Sequence, residues 1–140
     1  KRAMIDPGLA AIAEQGEAYS LLEYMAAVNS RGALGQHMKL FHEEWDLLIT
    51  PSLSITAFEA GKEVPDGSDQ TRWMEWTPFS IPFNLTQQPA CSVPCGFNDD
   101  GLPIGLHIVG PMHEDALVLR AAAAFENVKP FKMPERPISA

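Results

Sequence analysis

The sequence predicts an α/β segment, a sheet whose strands are buried on both faces with helices packed above and below it. Three observations carry that expectation. Apolar residues recur at helical spacing from Leu21 to Trp45. A short apolar run follows at Leu47-Leu48-Ile49-Thr50-Pro51, and two more apolar runs flank the turn sequence Asn98-Asp99-Asp100-Gly101.

Taken in order, Asp6-Pro7 opens a first short helix as N-cap and N1 proline. Leu9, Ile12 and Ala13 share one side of it, and Gly16 is its stop. Ser20-Leu21-Leu22-Glu23 is a capping-box pattern, in which the serine oxygen and the glutamate carboxylate each take up an orphan backbone donor. The helix it starts carries Leu21, Met25, Val28, Leu34, Met38, Phe41 and Trp45 as one buried stripe, with a slip near Arg31-Gly32. The apolar run closed by Pro51 reads as an interior strand.

From Glu59 to Glu75 the residues are polar, turn-rich and without period, which predicts a surface loop long enough to be functional. Repeated prolines from Thr77 to Thr86 allow one short helix beginning near Pro78. The runs 90–97 and 102–109 then form an antiparallel hairpin. A last helix starts at Glu114 or Asp115 and passes through Leu117, Leu119, Ala121, Ala124 and Phe125. Pro130, Pro134 and Pro137 end regular structure, leaving 129–140 as a peripheral tail. Residues 1–128 read as one continuous piece, and the start at Lys1, helical at once and without Met, reads as the continuation of a longer chain.

A hydrophobic share of 46% against 20% charged residues is that of a core-forming chain. The net charge of −8 and the scatter of ten Lys and Arg residues argue against nucleic acid and anionic membranes, whose phosphates are neutralised by clustered cations. No apolar run approaches the roughly 20 residues of a membrane span, and the first residues lack the apolar segment of a secretory leader, so a cytoplasmic protein is expected. Cys91 and Cys95 stand four residues apart in an extended stretch. Four residues of strand span about 13 Å, roughly twice what a disulfide tolerates, so both thiols are expected to be reduced.

No self-sufficient catalytic set is legible. His37 and His42 are five apart rather than the four that would put two ligands on one helical face, so they read as surface or packing residues. His107, between Leu106 and Ile108, reads as structural. The surroundings of Cys91 and Cys95 are apolar, which raises a thiol's pKa and argues against a nucleophile. No serine lies in a glycine-rich nucleophile turn, and the acidic residues of the 59–69 loop lack the alternation of a calcium site. No cofactor and no metal are expected. Trp73, Trp76 and Phe79 are costly to expose, and so either close over a pocket or anchor to a neighbouring element.

Three blocks, Trp45-Asp46-Leu47-Leu48-Ile49-Thr50-Pro51-Ser52, Phe83 to Phe97 with its core Gln88-Pro89-Ala90-Cys91-Ser92-Val93-Pro94, and Gly101-Leu102-Pro103-Ile104-Gly105-Leu106-His107-Ile108-Val109-Gly110, together resemble the C-terminal part of amidase signature enzymes. The resemblance covers nearly the whole chain. It implies a mixed, largely parallel sheet covered by helices on both faces, and hydrolysis of a carboxamide through an acyl-enzyme on serine. The family's serine nucleophile, second serine and lysine base precede the matched part. No catalytic residue is therefore carried over: Lys39, Lys62, Ser52, Ser54, Ser80 and Ser92 match none of them.

What the matched part contributes in the family is a share of the sheet and one wall of the pocket, which makes Trp76, Thr77 and Asn84 the candidate substrate-binding residues. Asn84 has an alternative as a turn-fixing side chain. The family often has glycine where Gln87 stands, so this bend is either less tightly turned or presents a side chain to the pocket. Thr77 stands where the glutamine-using component of tRNA-dependent amidotransferases usually has an aspartate, which favours a general amidase with a less polar pocket over that component. The expected partner is a small-molecule amide. A homodimer or association through exposed sheet edges is a further expectation, and a non-catalytic interaction module is the alternative of another class.

Overall fold

The computed structural model describes residues 4–131. By its internal contacts the chain divides into two units, 1–34 and 35–140. In the first, helix α1 (Pro7–Gly16) begins where Asp6 accepts a hydrogen bond from Leu9 N at 3.0 Å, with proline in its first turn. The capping box is formed as the sequence predicts: Ser20 N donates to the Glu23 carboxylate at 2.7 Å and Glu23 N donates to Ser20 Oγ at 3.3 Å. Ser20 Oγ also donates to the Glu23 carboxylate at 2.7 Å, and this bond, with a smaller effect from Ser20 N, holds the Glu23 carboxyl below its ordinary pKa.

Helix α2 (Leu21–Glu44) has the expected length, but its apolar stripe is not a buried one. Leu21 is 73% exposed, Val28 41% and Trp45 59%, while Leu34, Met38 and Phe41 are half-buried. Periodicity selects the apolar face of a helix and does not supply what covers it.

The second unit is built on three strands, β1 (Leu48–Pro51), β2 (Ala90–Phe97) and β3 (Pro103–Val109), in the order β1-β3-β2. Both pairings are antiparallel, so the portion of the sheet these residues build lacks the parallel character implied by the resemblance. β3 is central. Against the interior position expected of it, β1 is an edge of this sheet, with Ile49 58% exposed. A short apolar run does not by itself distinguish an interior strand from an edge. The hairpin turn is as expected. Asn98 Oδ1 accepts from Asp100 N at 3.1 Å and Leu102 N at 2.8 Å, and Gly101 takes the positive φ of 75° that the turn requires. β2 is the other edge, where Pro94 is tolerated without an N–H and the register shifts between Pro94 and Gly96.

Because side chains alternate, cross-strand partners share a face. One face carries Cys91, Val93, Leu106 and Ile108, against which helix α4 (Asp115–Val128) lays Val118, Ala121, Ala122 and Phe125 at helical spacing. Leu119, on the opposite side of α4, is 65% exposed. The other face carries Thr50, Ser52, Ser92, Gly105 and His107. Helix α3 (Ile81–Thr86) covers part of it, the Phe83 ring meeting His107 edge-on at 5.5 Å. Helices thus lie on both faces. α3 begins at Ile81 rather than near Pro78, since Trp73–Trp76 forms a 3₁₀ turn and Thr77–Ser80 the link between. Cys91 and Cys95 are free thiols, and burial pushes the Cys91 thiol up. Of the tail expected over 129–140, residues 132–140 lie outside the described residues.

α3 ends on Gln87 at φ 60°, ψ 31°, the left-handed conformation glycine adopts without strain. The bend is therefore tightly turned, which corrects the looser alternative. Gln87 is exposed, so its side chain is not required for packing. Gln87→Gly is expected to raise stability by about 1 kcal/mol through relief of this strain. A urea midpoint that does not rise would show that the side chain compensates for the backbone.

Candidate active-site wall

A cleft of about 710 Å³ opens on the α3 side of the sheet, lined below by Ser52 at the end of β1 and by residues of β3 and β2, and beside it by the segment 53–62 and Trp76. Its walls are apolar where Leu53, Ile55, Phe58, Pro94 and Ile104 stand. Its floor is polar. Ser52, which follows β1, and Ser92 on β2 reach over the central strand until their Oγ atoms are 2.6 Å apart. Gly105 on β3 makes that approach possible: a Cβ there would lie 2.6 Å from Ser52 Oγ and 2.7 Å from Ser92 Oγ.

The loop that flanks the cleft is held by its own ends. Ser54 donates through N and Oγ to the Trp76 carbonyl, at 3.5 and 3.1 Å, while the Trp76 indole N–H donates to the Glu63 carbonyl at 2.9 Å. Phe58 and Trp76 meet edge-on at 5.8 Å. Lys62, also on the cleft, is paired with Glu59 and Asp66, which raise its pKa, Asp66 most. Glu75 accepts from Thr71 Oγ1, Thr71 N and Arg72 N, and these bonds hold its carboxyl below the usual range.

Of the candidate binding residues, Trp76 lines the cleft. Thr77 is buried behind it, donating its hydroxyl to the Met74 carbonyl at 3.0 Å. Asn84 is exposed on α3 and is not among the cleft-lining residues. Sequence reasoning did not find Ser52, Ser92 and Gly105 as a group. The two serines are forty positions apart, and no local pattern states that β1 and β2 both pair with β3.

His107, buried beneath the Phe83 ring, has Nδ1 3.3 Å from Thr50 Oγ1 and a further bond to the Phe79 backbone. Burial lowers its pKa, and the Phe79 bond opposes that shift only in part. His42 Nδ1 lies 2.9 Å from the Trp45 carbonyl and Nε2 lies 2.8 Å from Gln88 Nε2. Since the amide nitrogen donates, the ring carries its proton on Nδ1. Gln88 Nε2 also donates to the Gly110 carbonyl at 3.1 Å, fixing the end of α2, α3 and the end of β3 to one another. Both histidines are thus engaged in structural bonds. Among the described residues, no three His, Cys, Asp or Glu side chains converge as a metal site would require.

The sequence profile of the family described as Amidase matches residues 5–119. An acylamidase of Rhodococcus erythropolis is 33% identical over 135 residues, which are 94% of this chain and 28% of that enzyme. A glutamyl-tRNA(Gln) amidotransferase component from Brevibacillus brevis is 36% identical over 108 residues, 77% of this chain and 21% of that protein. Among solved structures, a bacterial aryl acylamidase of the amidase signature enzymes superposes with a TM-score of 0.75 at 28% identity, over 93% of this chain and 28% of that one. A 6-aminohexanoate cyclic dimer hydrolase does so with 0.71 at 30% identity, over 87% and 28%. The chain therefore spans 28% or less of the length of these relatives. With the profile matched across α1, all three strands and the first turn of α4, the chain belongs to the amidase family, the amidase signature enzymes.

Proposed function

We propose that these residues form one wall of the substrate cleft in an amidase-type hydrolase. That enzyme cleaves carboxamide C–N bonds through a serine acyl-enzyme, with the nucleophile and its proton acceptor outside these 140 residues. The observation that carries the reading is the 33% identity to an acylamidase across 94% of the chain, falling on only 28% of that enzyme. The chemistry agrees with it. A serine attacks an amide only when a base takes its proton and donors hold the oxyanion, and the hydrogen bond shown by Ser52 and Ser92 is to each other.

Trp76, Thr77 and Asn84 are the proposed binding residues. Trp76 supplies wall, Thr77 braces the 3₁₀ turn behind it, and Asn84 offers an exposed carboxamide. The substrate is a small-molecule amide with an apolar group suited to Phe58 and Trp76. The cytoplasm is the proposed compartment, consistent with two free thiols and with no helix among the described residues long and apolar enough to cross a membrane. The edges β1 and β2 make self-association of the isolated piece the expected behaviour.

A serine-directed covalent reagent applied to the full-length protein is expected to abolish hydrolysis of a small aryl amide and to label a serine outside residues 1–140. The 140-residue chain alone should hydrolyse at the buffer rate. A label on Ser52 or Ser92, or turnover by the chain alone, would overturn the proposal. The second reading, the glutamine-hydrolysing component of an amidotransferase, draws on the 36% identity to the Brevibacillus brevis protein. Against it stands Thr77, buried and neutral where that component usually has an aspartate. A higher kcat/KM for glutamine than for the aryl amide would reverse the preference.

A further inference from the structure

The cleft has apolar walls and a polar floor, and the floor has no role in the acyl-transfer chemistry just described. Two hydroxyls 2.6 Å apart share one hydrogen between them. The second hydrogen and the remaining lone pairs are left for a third partner, because a hydroxyl offers one donor and two acceptor positions. The pair sits on a cleft floor where the backbone of Gly105 leaves room that any Cβ would fill. Other polar groups of the cleft are already engaged: Ser54 with the Trp76 carbonyl, Thr56 with Asn98 Nδ2 of the hairpin turn at 3.4 Å, and Lys62 with Glu59 and Asp66.

Resting on the hydrolase reading above, we propose that the Ser52–Ser92 hydroxyl pair over Gly105 is a specificity subsite that hydrogen-bonds a second, non-scissile polar group of the substrate, such as a carboxamide, while the substrate's apolar part lies toward Phe58 and Trp76. The pair can both give and receive a hydrogen bond, and a primary or secondary carboxamide presents both an acceptor and a donor. A purely apolar ligand of the same shape would displace water from the pair without replacing its hydrogen bonds, so the subsite selects against it. Ser52 and Ser92 are positioning residues here, and no covalent step passes through them.

The test uses the full-length protein and its Ser52→Ala/Ser92→Ala and Gly105→Ala variants. With an aryl amide that carries a second, unreactive carboxamide as substrate, the double variant is expected to raise KM about tenfold with kcat changed less than about twofold, because the lost bond is to a group that takes no part in the reaction and is made equally in ground and transition states. Gly105→Ala, whose methyl occupies the cradle, should act in the same direction. Inhibition by benzamide should weaken about tenfold, while inhibition by ethylbenzene, which lacks the amide, stays unchanged. Equal weakening of both inhibitors indicates a collapsed cleft, and unchanged benzamide inhibition indicates serines that touch no ligand; either overturns the subsite. If the full-length protein hydrolyses no amide, the hydrolase reading fails and calorimetric binding of benzamide decides the subsite alone. Binding lost in the double variant retains it, and no binding by the unaltered protein overturns it as well.

Discussion

Ile108→Ala is expected to lower the unfolding free energy of the 35–140 unit by about 3 kcal/mol, within the range for deleting most of a buried aliphatic side chain. Ile108 is only 2% exposed and sits at the centre of the sheet's α4 face, where it forms the core cluster with Val93 and Val118. Its flanks are the strand partners Cys91 and Ile49, so the cavity opens on the central strand and no neighbour can fill it without disturbing the ladder. The buried apolar residues are few, Phe83, Val93, Ile108, Val109 and Val118 among the described residues, so each carries a large share of the cohesion. Leu119→Ala is the control. That side chain leaves α4 on the far side at 65% exposure, and its removal should change stability by less than about 0.5 kcal/mol. Urea unfolding followed by far-UV circular dichroism separates the two, and equal effects would mean that the α4 contact with the sheet is not the core.

The difference between Ile108 and Leu119 also marks where sequence reasoning stops. Local chemistry is legible: Asp6 before Pro7, Ser20 three residues before Glu23, and Asn98 through Gly101 each state their own hydrogen bonds, and each set is formed. The position of a strand within a sheet is not. Leu47 to Pro51 is as apolar as an interior strand, yet among the described residues β1 pairs on one side only, because strand order depends on which partner a strand finds and not on its own composition. The apolar stripe of α2 fails in a similar way, since its spacing fixes which side is apolar and says nothing of whether a partner covers it. The candidate site divides along the same line. Trp76 is visible as a large aromatic in a turn-rich stretch. The floor of the cleft is invisible, because Ser52, Ser92 and Gly105 become neighbours only through two registers on one central strand.

His107→Ala is expected to cost about 2–3 kcal/mol at neutral pH, because it empties the space under Phe83 and removes the ring nitrogens that meet Thr50 and the Phe79 backbone. The same residue predicts the direction of an acid response. Burial holds the folded-state pKa of His107 below the ordinary 6.5, so the folded chain keeps the ring neutral at a pH where the unfolded chain already binds a proton. Its contribution to stability is therefore complete above 6.5 and is lost as the pH falls through that value toward the folded pKa. His107→Gln keeps a donor and an acceptor at the site but cannot titrate. Between about pH 7.5 and about pH 5, its urea midpoint should fall less than that of the unaltered chain. The remaining histidines are common to both chains, so the difference isolates His107, and identical slopes would contradict its buried neutral state. Because His107 ties the central strand to the segment that follows Trp76, backbone amides from Thr77 to Ser80 should exchange faster in the alanine variant, coupling the polar face of the sheet to the cleft wall.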